Sequence, residues 1–289
     1  MFIIKYKKIF VAISAFLVIC SIASVAYFGL NMGIDFKGGS MLEVAYEAGR
    51  PDQSIVAESV KGLGFGEVLI QPVGESGFNF KTRHLNESEH KVLLSAVGGE
   101  ERSFTSIGPS VGKELARKSL ISFILVVFGI IFFVAFSFRH VSKPVSSWKY
   151  GIIAVVSLVH DVIIPIGIFA VLGHFYGAEV GTLFVVAILT ILGLSVSDTV
   201  VVFDRIRENL RSGGFKNFSE VVGRSVGQVY PRSIMTSVTT ILVLLALVFW
   251  GPESTRIFAI ILTAGMFFGT YSSIFLASPL LVMLAGKEK

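Results

Sequence analysis

The 289-residue chain has a single cysteine, Cys20. A disulfide within the chain is therefore excluded, and so is a metal site built on thiolates. Charge is scarce as well: Asp, Glu, Lys and Arg together make 16%, against about 25% in a soluble domain. So sparse a charge cannot cover a water-facing surface of this size. Much of the chain must face something else.

Apolar residues are what the chain has in quantity. They make 53% of it, with 26 Phe, and the mean hydropathy is +0.76. That composition suits helices facing lipid. The net charge of +5 raises the possibility of a nucleic-acid partner, but the basic residues do not alternate with aromatics on a soluble face. They gather at the ends of apolar runs, where membrane topology wants them. No nucleic-acid partner is expected.

A spanning helix needs about 20 mostly apolar residues. Six runs qualify, at 9–28, 119–138, 150–172, 182–203, 233–250 and 257–284. The first follows Lys5, Lys7 and Lys8 and ends near Ser24-Val25-Ala26, as a secretory signal might. Its apolar stretch is too long for a signal core, so it reads as an uncleaved anchor. Basic residues mark one side of the membrane: the N-terminus; Arg139, Lys143 and Lys149; Arg205, Arg207, Arg211, Lys216, Arg224 and Arg232; Lys287 and Lys289. Short loops on the other side hold almost none, with Arg256 at a span edge. Cytoplasmic loops retain Lys and Arg. Both termini are thus expected in the cytoplasm of a bacterial cell, and 29–118 outside it.

The division predicted is a tail and first span (1–28), an extracytoplasmic domain (29–118), and five further spans (119–289) with a cytoplasmic loop at 204–232. Within the domain, 40–46, 67–73, 77–83 and 102–107 have strand character. Helices are expected from Pro51 to Leu63 and from Asn86-Glu87-Ser88-Glu89 through Val97. The order β-α-β-β-α-β is a ferredoxin-like plan. The fold class is a membrane all-α bundle with an inserted α+β domain. His84 and His90 lie among polar helix-start residues and read as solvated surface. Gly62-Leu63-Gly64-Phe65-Gly66 lacks the Lys-Ser/Thr and the strand-then-helix setting of a nucleotide loop. No catalytic constellation, metal or cofactor is expected, so the domain reads as a docking module.

Ionisable residues inside spans are costly, at about 2.5–3.5 kcal/mol each, and are functional candidates. Asp198 lies near the cytoplasmic end of the fourth span. Ser195, Asp198, Thr199 and Val202 share one helical face, so a carboxylate beside hydroxyls could take up and release a proton. Arg232 opens the fifth span after Pro231, with Ser233, Thr236, Ser237, Thr239 and Thr240 following, at a depth that would let it pair with Asp198. It could equally be a topogenic Arg reaching the interface. Asp161, beside His160 in the middle of the third span, could relay protons or bond helices together. Gly265, Gly269, Ser273 and Ala277 form a small-residue stripe suited to close packing.

Several segments together carry a resemblance: GIDFKGG (33–39), SIGPSVGKEL (106–115), His160-Asp161, GLSVSDTVVVFDRIREN (193–209) and RSIMTSVTT (232–240). In that order and over the whole chain, they resemble the SecF branch of the SecD/SecF family, within the resistance-nodulation-division superfamily. The resemblance implies a non-enzymatic inner-membrane subunit that pairs with SecD and associates with the SecYEG channel. Such a subunit uses the proton motive force to help pull unfolded polypeptide across. It implies proton-pathway roles for Asp198 and Arg232, with Ser195 and Thr199 beside them and Asp161 as a weaker member. Ser197 departs from the family pattern, which often has Asn there. The glycines Gly33, Gly38, Gly39, Gly108 and Gly112 flank the outer domain as joints or as rigid turns. Basic residues after the fourth span could meet anionic lipid.

Two rivals differ in class. One is half of a proton-driven small-molecule exporter of the same superfamily. The other is an intramembrane aspartyl protease using Asp161 and Asp198, disfavoured because Ser195-Val196-Ser197-Asp198 is not Gly-x-Gly-Asp.

Overall fold

The computed structural model describes residues 2–137, 145–214 and 217–285. Of the residues used above, Phe138, Arg139, Lys143, Lys216, Lys287 and Lys289 lie outside the described residues. The chain opens with α1 (Phe2–Lys5) and α2 (Lys7–Phe28). Then come α3 (Ile34–Lys37), β1 (Gly39–Ala45), α4 (Gln53–Val60), β2 (Leu69–Val73), β3 (Gly77–Thr82), α5 (Glu87–Val97) and β4 (Glu100–Ile107). The remaining helices are α6 (Pro109–Ser137), α7 (Ser147–Tyr176), α8 (Thr182–Ser212), α9 (Phe218–Trp250), α10 (Glu253–Ser272) and α11 (Ser278–Ala285), with a π-helical segment, Ser273–Ala277, joining the last two. Two compact units result. One comprises 1–31, 122–178 and 183–289; the other comprises 32–121 and 179–182.

The membrane unit has six helices long and apolar enough to cross a bilayer, as expected. They outrun the hydropathic spans. α6 begins at Pro109, ten residues before the apolar run, and carries a Glu114–Lys118 ion pair of 2.7 Å one turn apart. Pro at the first helical position suits a helix start, where its missing N–H has no partner to lose. Hydropathy sees only the hydrocarbon core, whereas a helix continues into water wherever propensity and i,i+4 pairs allow. The same effect alters the segment 204–232. It is almost wholly helical, the final turns of α8 and first turns of α9, and α8 runs straight on without a separate surface helix.

Burial ranks the spans. In α7, 61% of the apolar window is buried within the chain, against 11% in α2, 6% in α6 and 17% in α9. α7 is therefore the post around which others pack. Gly167 on α7 faces Ser21 of α2 so closely that a Cβ would lie 2.5 Å from the Ser21 backbone. At Gly265 of α10 a Cβ would fall 2.2 Å from Ile191. The expected small-residue stripe thus packs α10 against α8.

The outer unit is a four-stranded sheet of order β2-β3-β1-β4, every neighbouring pair antiparallel. Alternation along β1 buries Leu42 and Val44, and β3 adds Phe78 and Phe80 on the same face. Val56 and Val60 of α4 and Leu93 and Val97 of α5 complete the core. Asp52 caps α4 by accepting from the Ser54 N–H. Asn86 and Glu89 form a reciprocal capping box that starts α5. His90 departs from the solvated reading: its ring stacks on Phe104 with centroids 3.7 Å apart and meets Glu101 at 3.1 Å, leaving the side chain 15% exposed. His84 is exposed and bonds Ser106 at 2.8 Å.

Candidate functional site

Four helices converge on the polar centre of the membrane unit. α7 supplies His160 and Asp161, and α8 supplies Ser195, Asp198 and Thr199. α9 brings Arg232, Ser233 and Ser237, and α10 brings Gly265, Gly269, Thr270 and Ser272, with Ser273 just beyond. Gly265 lets α10 approach Ile191 of α8 closely, whereas a Cβ at Gly269 would make only ordinary contact with Ser195, at 3.4 Å.

Asp161 is fully buried. Its Oδ2 accepts from Ser272 Oγ at 2.7 Å and from the Ser195 hydroxyl. Its Oδ1 meets His160 Nδ1 at 2.8 Å. The carboxylate thus joins α7, α8 and α10. A charge-assisted hydrogen bond is about twice as strong as a neutral one, and this group has three. His160 Nε2 is buried and has no hydrogen-bond partner among the described residues.

Asp198 lies in a different setting. It lines a cavity of about 120 Å³ with Ser195, Ser197, Arg232, Ser233, Thr236 and others. That volume holds a few water molecules, each taking about 30 Å³ in the liquid. Asp198 Oδ1 accepts from Ser233 Oγ at 2.8 Å. Oδ2 is buried without a hydrogen-bond partner among the described residues, an arrangement rare enough to need explaining. Arg232, an exposed residue, shares the cavity, but the hydrogen bond to Asp198 comes from its neighbour Ser233. Thr199 bonds Ser273 at 3.0 Å, and Ser237 bonds Thr270. Ser195 belongs to both settings: it donates to Asp161 and lines the Asp198 cavity.

The partners Ser272 and Thr270 escaped sequence reasoning. Ser272-Ser273 inside an apolar span was the available signal. Its meaning depends on the π-helical turn at 273–277, a geometry often found at functional sites. The flanking glycines lie in the outer unit. A Cβ at Gly112 would meet Gly38 N at 2.9 Å, and one at Gly38 would meet Pro109 Cα at 2.8 Å. Gly33 and Gly39 are similarly close to backbone oxygens, whereas Gly108 meets nothing within 4 Å.

Six spanning helices, a polar network with two carboxylates inside them and one inserted α+β domain together define a multi-pass membrane protein of the transport class. The chain belongs to the SecD/SecF family of protein-export membrane proteins. The family's C-terminal region matches residues 89–287, and its GG motif matches 24–49. The protein translocase subunit SecF of Thermobaculum terrenum is 38% identical over 99% of this chain and 94% of its own length. That of Anaerolinea thermophila is 33% identical over 98% of this chain and 93% of its own. Among solved structures, SecDF of Thermus thermophilus, a translocon-associated membrane protein, matches with a TM-score of 0.84 at 30% identity. That match covers 98% of this chain and 38% of SecDF. SecDF in its super-membrane-facing form gives 0.67 at 31% identity, over 97% of this chain and 38% of that one.

Proposed function

We propose that this chain couples proton movement through its spans to polypeptide export, with Asp198 as the group that exchanges the proton. Its place as an accessory subunit of the Sec machinery, acting with SecD and performing no catalysis of its own, follows from the family. In this reading Arg232 tunes Asp198 across the shared cavity, and Ser195 and Thr199 complete the polar path. Asp161 is the inner station. Both termini are cytoplasmic, the outer unit is a ferredoxin-like domain facing away from the cytoplasm, and SecYEG and the moving polypeptide are the working partners.

One observation carries the reading. Asp198 has one oxygen bonded to Ser233 and the other buried with no hydrogen-bond partner among the described residues, on a cavity that Ser195 joins to Asp161. Such a carboxylate suits either state: charged, it accepts from Ser233, and protonated, it supplies an O–H where its own second oxygen has no donor. One charge crossing 100 mV is worth about 2.3 kcal/mol, enough to shift a two-state equilibrium by about fiftyfold when the states differ in proton binding. In membrane vesicles holding the complex with SecD and SecYEG, Asp198→Asn should abolish the stimulation of precursor export by a proton gradient. Arg232→Ala should lower it. An assembled Asp198→Asn complex with native stimulation would overturn the reading.

A further inference from the structure

Within the outer unit lies a stretch of four residues, Glu179–Thr182, drawn from the connection between α7 and α8. Three of the four are fixed by a partner from the first half of the unit. Glu179 pairs with Lys81 of β3 at 2.8 Å, with side chains only 25% and 15% exposed. Val180 forms a parallel bridge with Met32, and its carbonyl accepts from the Gly33 N–H at 3.0 Å. Thr182 donates twice to Asp35 Oδ2, from its backbone N–H at 2.6 Å and its hydroxyl at 2.9 Å.

Gly181 explains why the arrangement exists. The residue before a helix commonly caps it with its own side chain, and glycine has none. A Cβ at Gly181 would lie 2.8 Å from Asp35 Oδ2. The carboxylate of Asp35 therefore fills the space that a local capping residue would use. It caps α8 from 147 residues away in sequence, where the helix dipole also favours a negative charge. α8 then continues unbroken from Thr182 to Ser212, past Asp198. Neither α3, which holds Asp35, nor the 179–182 connection contributes to the proton site.

We propose that Asp35 is a positioning residue for coupling: by capping α8 it makes the start of the fourth span part of the outer unit, so that a displacement of α8 is delivered to that unit at Thr182. This rests on the proton reading above. It adds that delivery runs through the Asp35 cap and the Lys81–Glu179 pair, not only through the two chain segments that flank the inserted domain.

The test separates proton movement from its delivery. In a Cys20→Ser background, spin labels are placed at Lys61→Cys in the outer unit and Trp250→Cys at the end of α9. Their separation is measured by pulsed dipolar spectroscopy in vesicles containing the whole complex, with and without a proton gradient. Proton flux is followed in parallel with a pH-sensitive dye. Asp35→Ala should keep the flux and lose the gradient-dependent change in distance, with export stimulation falling at least about fivefold, the low end of a typical coupling. Asp35→Asn, whose amide oxygen still accepts, should fall between. Lys81→Glu should weaken delivery, and adding Glu179→Lys should restore it. An unchanged distance response in Asp35→Ala overturns the proposal, as does loss of flux together with response, which marks a general structural role. Asp198→Asn distinguishes the two readings: native flux there defeats proton exchange at Asp198 and leaves the Asp35 result to be judged on its own distances.

Discussion

Asp161 holds three helices through one side chain, and its removal should show what that is worth. Interhelical hydrogen bonds inside membranes average about 0.6 kcal/mol and reach about 1.7. Two such bonds end on Asp161, from Ser195 and Ser272, and His160 adds a third contact. Asp161→Ala would also strand these partners in a buried site. A loss of about 2–3 kcal/mol is expected, read as an earlier unfolding midpoint in a detergent titration. Asp161→Asn, which keeps an acceptor, should lose less than half of that. The carboxylates and the arginine could be picked out of the sequence because charge inside an apolar run is conspicuous. Their partners could not. Serine is common in spans, and nothing local distinguishes Ser233, which bonds Asp198, from Ser219, about four turns before it in the same helix. Asp35 was hidden for a related reason: its partner is 147 residues away, and nothing beside it in sequence points to α8.

At the scale of the element, α5 shows how a short helix is started by its first residues. Asn86 accepts from the Glu89 N–H, and Glu89 accepts from the Asn86 N–H. Asn86→Ala should cost about 1 kcal/mol, which is about fivefold faster amide exchange through local opening of the helix. Acid should act on the same element. The hydrogen bond from Arg83, then the Asn86 N–H, holds the Glu89 carboxyl below its usual range. A lowered carboxylate stabilises the folded form above its unfolded value, and that contribution is lost as pH falls through the folded one. Protection of the α5 amides, taken relative to their intrinsic exchange rate at each pH, should therefore fall on acidification, and Glu89→Gln should flatten the dependence. This box was legible as Asn86-Glu87-Ser88-Glu89, since a cap and its partner lie three residues apart. Alternation placed the strands within one or two residues for the same reason. Element ends in the membrane unit were less legible: α6, α8 and α9 all overrun their apolar cores, because helix propensity does not stop at the edge of the hydrocarbon.

For the whole molecule, the low burial of α2, α6 and α9 within the chain leaves most of their surface to lipid or to a partner, in keeping with a unit that acts alongside SecD. The long helices carry another consequence. At 1.5 Å per residue, the 31 residues of α8 and the 33 of α9 measure about 46 and 50 Å, well beyond a hydrocarbon core of about 30 Å. Their ends project together into water, clasped by Asn209 with Ser225 and Gln228 at 2.8 Å each and by Arg205 with Gln228 at 2.8 Å. Only residues 213–217 join the two helices, and Gly213 and Gly214 there both have positive φ. The peptide bond between those glycines is thus a natural place to divide the chain. Co-expressed fragments 1–213 and 214–289, with four spans and two, should find each other in the bilayer and restore export in cells lacking the intact subunit. Recovery of neither assembly nor export would show that the clasp needs its covalent joint. If the halves do reassociate, the gene can be cut at that codon pair, and each half can be tagged, dosed and exchanged as an independent part.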